Sequence, residues 1–314
     1  MRTKKSQYFR RMKSLLFSGL ILLSLQLCQS SATKSGDTAV SVIKNYHINE
    51  PDIRYELPAF LCEISGLSLT DNPQKLFAIS DERGQIIAID KGTGQVDTLP
   101  QFMSEGDFEG IERIGDIVYA LKSNGKIFAI KDAGKPTQTY TIIRTPLSKP
   151  DDCEGLGYDA AKNQLIISAK GGKTTRQRYV FGWNLTTSKL DTLFSVKDAD
   201  FADFLRAQYP DAEATFDDFF GKYDEEFRFQ PSSVVVEATT GDYYLLSSAG
   251  KWLAVVDAKS LKIKDIMRLN KKVHSQPEGM VLDADGTLWI SNECKINSES
   301  GIKSPSTLLG FKPR

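Results

Sequence analysis

Five short segments repeat one arrangement, in which a Ser or Glu precedes Gly or Ser at the start of an apolar run. They are Ile64-Ser65-Gly66-Leu67, Phe108-Glu109-Gly110-Ile111, Cys153-Glu154-Gly155-Leu156, Pro231-Ser232-Ser233-Val234 and Pro277-Glu278-Gly279-Met280. Carboxylates at matching positions of a repeat can converge on a hard cation, and calcium takes oxygen ligands of this kind. Glu109, Glu154 and Glu278, with Asn292 at the end of a following apolar run, are therefore candidate calcium ligands. Two such glutamates about 6 Å apart would repel by roughly 3 kcal/mol at an effective dielectric near 20, so a cation or a proton must relieve them. The competing expectation is that each Glu is neutralised by the next repeat's backbone or by a basic side chain. If a cation also polarised a scissile phosphoester, ester or lactone bond, Glu154 would be the candidate general base.

Two further features could bind a small ligand. Asp81 follows an apolar run just as Asn292 does, and the segment Lys170-Gly171-Gly172-Lys173-Thr174-Thr175-Arg176-Gln177-Arg178 offers bases and glycine backbone. Lys170, Lys173 and Arg176 could hold an anion through charge and backbone donors, or form a solvated hairpin tip. Other chemistries lack their residues: there is no G-x-S-x-G nucleophile elbow, and His47 and His274 are too few for a zinc cluster. Lys+Arg and Asp+Glu are balanced at 40 each, which speaks against nucleic acid as a partner.

The elements that must position these residues follow from the repeat period. The motif positions Gly66, Gly110, Gly155, Ser233 and Gly279 stand 44, 45, 78 and 46 residues apart, and about 45 residues make one four-stranded propeller blade. Each motif is followed by an apolar strand ending in Ser, and then by a run holding a small residue: Ala88, Ala129, Gly182, Ala254 and Gly310. Fourth strands follow in four repeats; in the fifth the chain ends first. The pattern predicts an all-β, five-bladed β-propeller over residues 39–314, with six blades as the alternative count. An alternating stretch at 39–48 is expected to supply the missing strand, since an open edge would invite aggregation. Antiparallel order puts the starts of first strands and the ends of second strands on one face, which gathers all the candidate residues.

The same motifs resemble the SdiA-regulated, YjiK-like β-propellers of the bacterial envelope. The resemblance rests on Phe108-Glu109-Gly110-Ile111-Glu112, Cys153-Glu154-Gly155-Leu156-Gly157-Tyr158 and Gln276-Pro277-Glu278-Gly279-Met280, with Ser80-Asp81-Glu82-Arg83 and Ser291-Asn292-Glu293 in support. It implies a propeller behind a signal or membrane anchor, with some members linked to calcium response. The chain departs from the pattern at Ser232-Ser233, where other repeats carry Glu-Gly.

The amino terminus agrees with export. Lys4, Lys5, Arg10, Arg11 and Lys13 precede an apolar run from Leu15 to Leu27, short for a membrane span. Residues 1–32 read either as a cleaved signal peptide ending near Ser30-Ser31-Ala32 or as a lipoprotein signal with Cys28 as the lipid-bearing residue. Both place the protein in the cell envelope, periplasmic or on an outer surface, and the second attaches it to a membrane. Cys62, Cys153 and Cys294 remain, an odd number that allows at most one disulfide and otherwise suits small buried apolar residues. The 78-residue interval holds an insertion at 197–229 with ten acidic and four basic residues. Phe201, Phe204, Leu205 and Gln208, and then Phe216, Phe219, Phe220 and Tyr223, lie at helical spacing on either side of Pro210. Two short helices are expected there, either as a helical cap or as a docking surface for a protein partner.

Overall fold

A computed structural model describes residues 46–171, 177–208, 229–297 and 301–314. Five four-stranded antiparallel sheets form the blades of a propeller, each with its innermost strand starting at one of the five motifs. Blade I comprises Ile64–Leu69, Lys75–Ser80, Arg83–Asp90 and Val96–Thr98, and blade II Phe108–Ile114, Ile117–Lys122, Lys126–Lys131 and Thr139–Arg144. Blade III is Cys153–Asp159, Gln164–Ala169, Gln177–Asn184 and Lys189–Lys197; blade IV is Gln230–Val236, Tyr243–Ala249, Trp252–Val256 and Ile263–Arg268. Blade V takes Pro277–Leu282, Leu288–Asn292 and Thr307–Phe311 from the carboxy-terminal region, and its outer strand from the amino-terminal side.

That outer strand is Ile53–Glu56, which pairs antiparallel with Thr307–Phe311 from Ile53 opposite Gly310 to Glu56 opposite Thr307. The ring is thus closed by an amino-terminal strand, as expected, but not by residues 39–48. Of that stretch 39–45 lie outside the described residues, while Tyr46 and Ile48 are buried against blades IV and V without joining a sheet. Ile53–Glu56 wins the pairing because it alternates half-buried Ile53 and Tyr55 with exposed Arg54 and Glu56, the period-2 pattern of an outer strand. Gly310 is needed there: a Cβ would lie 3.0 Å from the Trp289 ring and 3.2 Å from Ile53 Cβ.

Apolar side chains between adjacent sheets form the core. At the narrow end of each wedge the backbones nearly touch, which explains the motif glycines. A Cβ on Gly66, Gly110 or Gly155 would lie within 2.8 Å of the backbone nitrogen of Ile111, Leu156 or Val234 in the next blade. Blade IV carries Ser233 instead, and its Oγ accepts the Met280 N–H of blade V at 3.1 Å. The departure from Glu-Gly is accommodated by an inter-blade hydrogen bond.

The insertion begins with the helix Asp198–Gln208 directly after the outer strand of blade III. Phe201 and Leu205 are buried beside Phe229, with the Phe201 and Phe229 rings 4.9 Å apart, while Asp203 and Arg206 pair on the exposed side. The second expected helix falls outside the described residues. So do the leader with Cys28, and Lys173 and Arg176. Among the described residues no helix is long and apolar enough to cross a membrane.

Cys62 and Cys294 are joined in a disulfide, their Cα atoms 4.8 Å apart, and Cys153 is a buried free thiol. The burial expected of small apolar cysteines holds for Cys153, whereas the pair is brought together by closure of the ring, a contact 232 residues apart in the chain.

Candidate functional site

Every innermost strand is interrupted at the second residue of its motif. The ladder of blade II pairs Phe108 with Lys122 and then Gly110 with Leu121, leaving Glu109 as the extra residue of a β-bulge. Blades III and IV repeat this at Glu154 and Ser232, and the irregularities in blades I and V span Ser65-Gly66 and Glu278-Gly279. Bulges turn a side chain out of the alternation of its strand. Here they produce a ring of five equivalent positions: Ser65, Glu109, Glu154, Ser232 and Glu278. The serines ending the second strands brace it. Ser168 Oγ accepts the Gly155 N–H at 3.1 Å and Ser291 Oγ the Gly279 N–H at 2.9 Å, so these bulge amides remain satisfied.

Asp81, Ser123, Lys170 and Glu293 immediately follow the second strands of blades I, II, III and V, and Ser248 lies at the end of that of blade IV. Lys170 turns toward the ring, and its Nζ lies 2.8 Å from Glu154 Oε1, with the Glu154 side chain only 5% exposed. This gives the first base of the glycine-containing loop a carboxylate partner. Glu278 is half-buried, and beside it Ser232 Oγ donates to Pro277 O at 2.9 Å. Ser123 Oγ bonds the Asp107 carboxylate, and Lys251 Nζ donates to Ser248 O at 2.7 Å.

The electrostatics tie these groups into one site. Burial, reinforced by the charge of Glu154, pushes the Glu109 carboxyl up to about 9, against the pull of Lys170. Burial raises Glu154 to about 8, with Lys170 again opposing and Glu278 adding to the rise. Burial also raises Glu278, opposed by the charges of Lys170 and Lys251. Lys170 is raised in turn, because Glu154, Glu278 and Glu109 together outweigh its own desolvation. Burial brings Lys251 down to about 8, although Glu278 favours its charged form. Three carboxyl groups raised by burial thus share Lys170 as their leading opposing cation.

The three glutamates singled out by spacing are brought into mutual influence with Lys170. Asn292 is fully buried and directs its Nδ2 to Thr307 Oγ1 at 3.3 Å, within blade V. Asp81 follows the second strand of blade I, its carbonyl accepts the Phe108 N–H of blade II at 3.1 Å, and burial with the nearby Glu63 lifts its carboxyl to about 6. Glu293, for which the sequence suggested no chemistry, is pushed up to about 9 by burial and by Glu278, Glu63 and Asp81. Ser65, Ser232, Ser248, Lys251 and Glu293 were missed as site residues. The repeat itself held the signal for the two ring serines, which occupy the motif position filled elsewhere by Glu.

Comparison with known proteins agrees with the resemblance seen in the motifs: the SdiA-regulated family profile matches residues 222–296, which span the last two motifs. No curated protein matches the chain. Among solved structures, the PQQ-bound aldose sugar dehydrogenase of Streptomyces coelicolor is similar at 12% identity, covering 84% of this chain and 100% of that one with a TM-score of 0.48. A gluconolactonase from Xanthomonas campestris is similar at 11% identity, with 88% and 100% covered and a TM-score of 0.45. A nidogen/laminin complex is similar at 12% identity over 73% and 72%, with a TM-score of 0.47.

Proposed function

We propose that this SdiA-regulated-type propeller is a binding protein of the bacterial envelope that takes calcium or a small cationic ligand at the ring of Glu109, Glu154 and Glu278. The observation that carries the reading is the excess of buried carboxyl groups over ammonium groups there: Glu109, Glu154 and Glu278 are each raised by burial and share Lys170 as the leading opposing cation. Clustered acids whose charged forms are disfavoured by burial and by one another gain from a further cation, with the Ser65 and Ser232 hydroxyls at the two remaining ring positions as neutral oxygen donors. Lys170 supplies part of the neutralisation, so a ligand must either displace its ammonium from Glu154 or sit beside it. The amino-terminal leader supports the envelope location.

Calorimetric titration of the processed protein with calcium, in two buffers of different ionisation enthalpy, tests this. Binding is expected to release protons and to tighten by up to about tenfold per pH unit for each proton displaced. Glu109→Gln and Glu278→Gln should each weaken it. Absence of binding at millimolar calcium rejects the metal reading.

One geometric feature favours a hydrolytic role as a second reading. Glu154, raised to about 8 and paired with Lys170 at 2.8 Å, has the poise of a general base near neutral pH. Turnover of phosphoester, ester or lactone substrates that calcium stimulates and Glu154→Gln removes would establish it; turnover indifferent to both would exclude this mechanism.

A further inference from the structure

We propose that the Cys62–Glu63–Cys294 group, where blades I and V meet, becomes a binding site for a divalent cation of the zinc class once its disulfide is reduced. The two sulfurs and a Glu63 carboxylate oxygen lie within 4.8 Å of one another, the one such grouping of three His, Cys, Asp or Glu ligand atoms among the described residues. Thiolates near 2.3 Å and a carboxylate oxygen near 2.0–2.2 Å from a tetrahedral zinc ion stand roughly 3.5–4 Å apart, so small side-chain adjustments complete three of four ligand positions.

The backbone keeps the sulfurs together without the S–S bond. Cys294 N–H donates to Cys62 O at 2.9 Å, tying the two segments directly. The turn before Cys62 is fixed by Leu61 N–H to Pro58 O and Cys62 N–H to Ala59 O, and the segment before Cys294 by Glu293 N–H to Gln276 O. Reduction therefore yields two adjacent thiols on a held frame. A cleft lined by Leu57, Ala59, Cys62, Cys294, Pro305 and Ser306 opens beside the sulfurs, giving access to a reductant, a metal ion and a water as fourth ligand.

The chemistry balances with a dithiol reductant. It transfers two electrons and two protons to the Cys62–Cys294 bond, giving two thiols while it becomes a disulfide. The metal then displaces both thiol protons to solvent and binds two thiolates and the Glu63 carboxylate. Its ligand atoms are distinct from those of the Glu109–Glu154–Glu278 ring, and zinc binding to the reduced protein is read separately from calcium binding to the oxidised one.

The test uses the full chain, reduced with a phosphine and desalted without oxygen, then titrated with zinc against a chromophoric chelator and separately with cobalt. The reduced protein should bind one equivalent of zinc at least about 100-fold more tightly than the oxidised protein, and the cobalt adduct should show a near-ultraviolet thiolate-to-cobalt band. Cys153→Ser should leave both unchanged, and Glu63→Gln should weaken zinc about tenfold or more while keeping the band. Equal affinity of the oxidised and reduced proteins, or cobalt bound without a sulfur band, overturns the proposal. Cys294→Ser should remove the reduction-dependent tight zinc binding, and should it fail to fold, the wild-type comparison and Glu63→Gln still decide it.

Discussion

Glu109 shows how a single buried carboxyl group couples the site to stability. Its ordinary value is 4.5 and its folded value about 9, so the folded state binds the proton more tightly than the unfolded state. Stability is then greatest below about pH 4.5 for this group and falls as pH rises toward 9. Glu109→Gln removes the titrating charge and keeps the shape. The variant should be more stable than the parent at pH 9 by on the order of 2–4 kcal/mol, and equal to it near pH 5, as read from denaturant melts at the two pH values. A difference that is the same at both pH values would mean that folding does not raise the Glu109 carboxyl. The three glutamates could be read from the sequence because their positions repeat, but their partner could not. Lys170 lies in another strand's exit loop, and nothing in its immediate sequence distinguishes an inward ammonium from a solvated hairpin tip.

Strands carried the clearest sequence signal, since apolar runs, Ser-ended second strands and a small residue in each third strand recur in phase. The closing strand was harder. Residues 39–48 and Ile53–Glu56 both alternate, and the choice depends on contacts more than 250 residues away, at Gly310 and Leu308. The structure gives Tyr46 to Asn49 a different task, as a clasp across blades IV and V. Tyr46 Oη donates to Gly286 O at 2.7 Å, Asn49 accepts the Asn270 N–H at 2.7 Å, and the fully buried His274 ring meets Ile48 O through Nε2 at 2.7 Å. Burial lowers His274 from 6.5 to about 4, so its Nε2 carries the proton donated to Ile48 in the neutral ring. A depressed folded value gives stability that is present above pH 6.5 and lost as pH falls toward 4. His274→Gln keeps a donor and does not titrate. It should lose on the order of 3 kcal/mol less stability than the parent between pH 7 and pH 4, measured by urea melts across that range. An unchanged acid dependence would show that the clasp opens before His274 protonates.

At the scale of the whole ring, two devices meet at the same junction and do different work. The disulfide acts mainly on the unfolded chain: a loop spanning 232 residues implies roughly 5.5 kcal/mol of closure entropy in the chain-entropy model. The strand Ile53–Glu56 acts on the folded ring, because it covers an edge of Thr307–Phe311 that would otherwise expose a ladder of unpaired backbone groups. Tyr55 extends the bond to the neighbouring blade through its hydroxyl, which donates to Lys91 O at 3.0 Å, and Lys91 in turn pairs with Asp283 of blade V. These contacts predict opposite consequences for two lesions. Cys294→Ser should lower the unfolding free energy by up to about 4 kcal/mol and leave a closed, monomeric propeller with unchanged far-ultraviolet circular dichroism. Removing residues up to Glu56 should leave the disulfide possible at Cys62 but open blade V, giving self-association through the bared strand, visible by light scattering at micromolar protein. A monomeric truncation variant with the parent's cooperative unfolding would show instead that side-chain packing between blades V and I closes the ring, with the strand merely covering it.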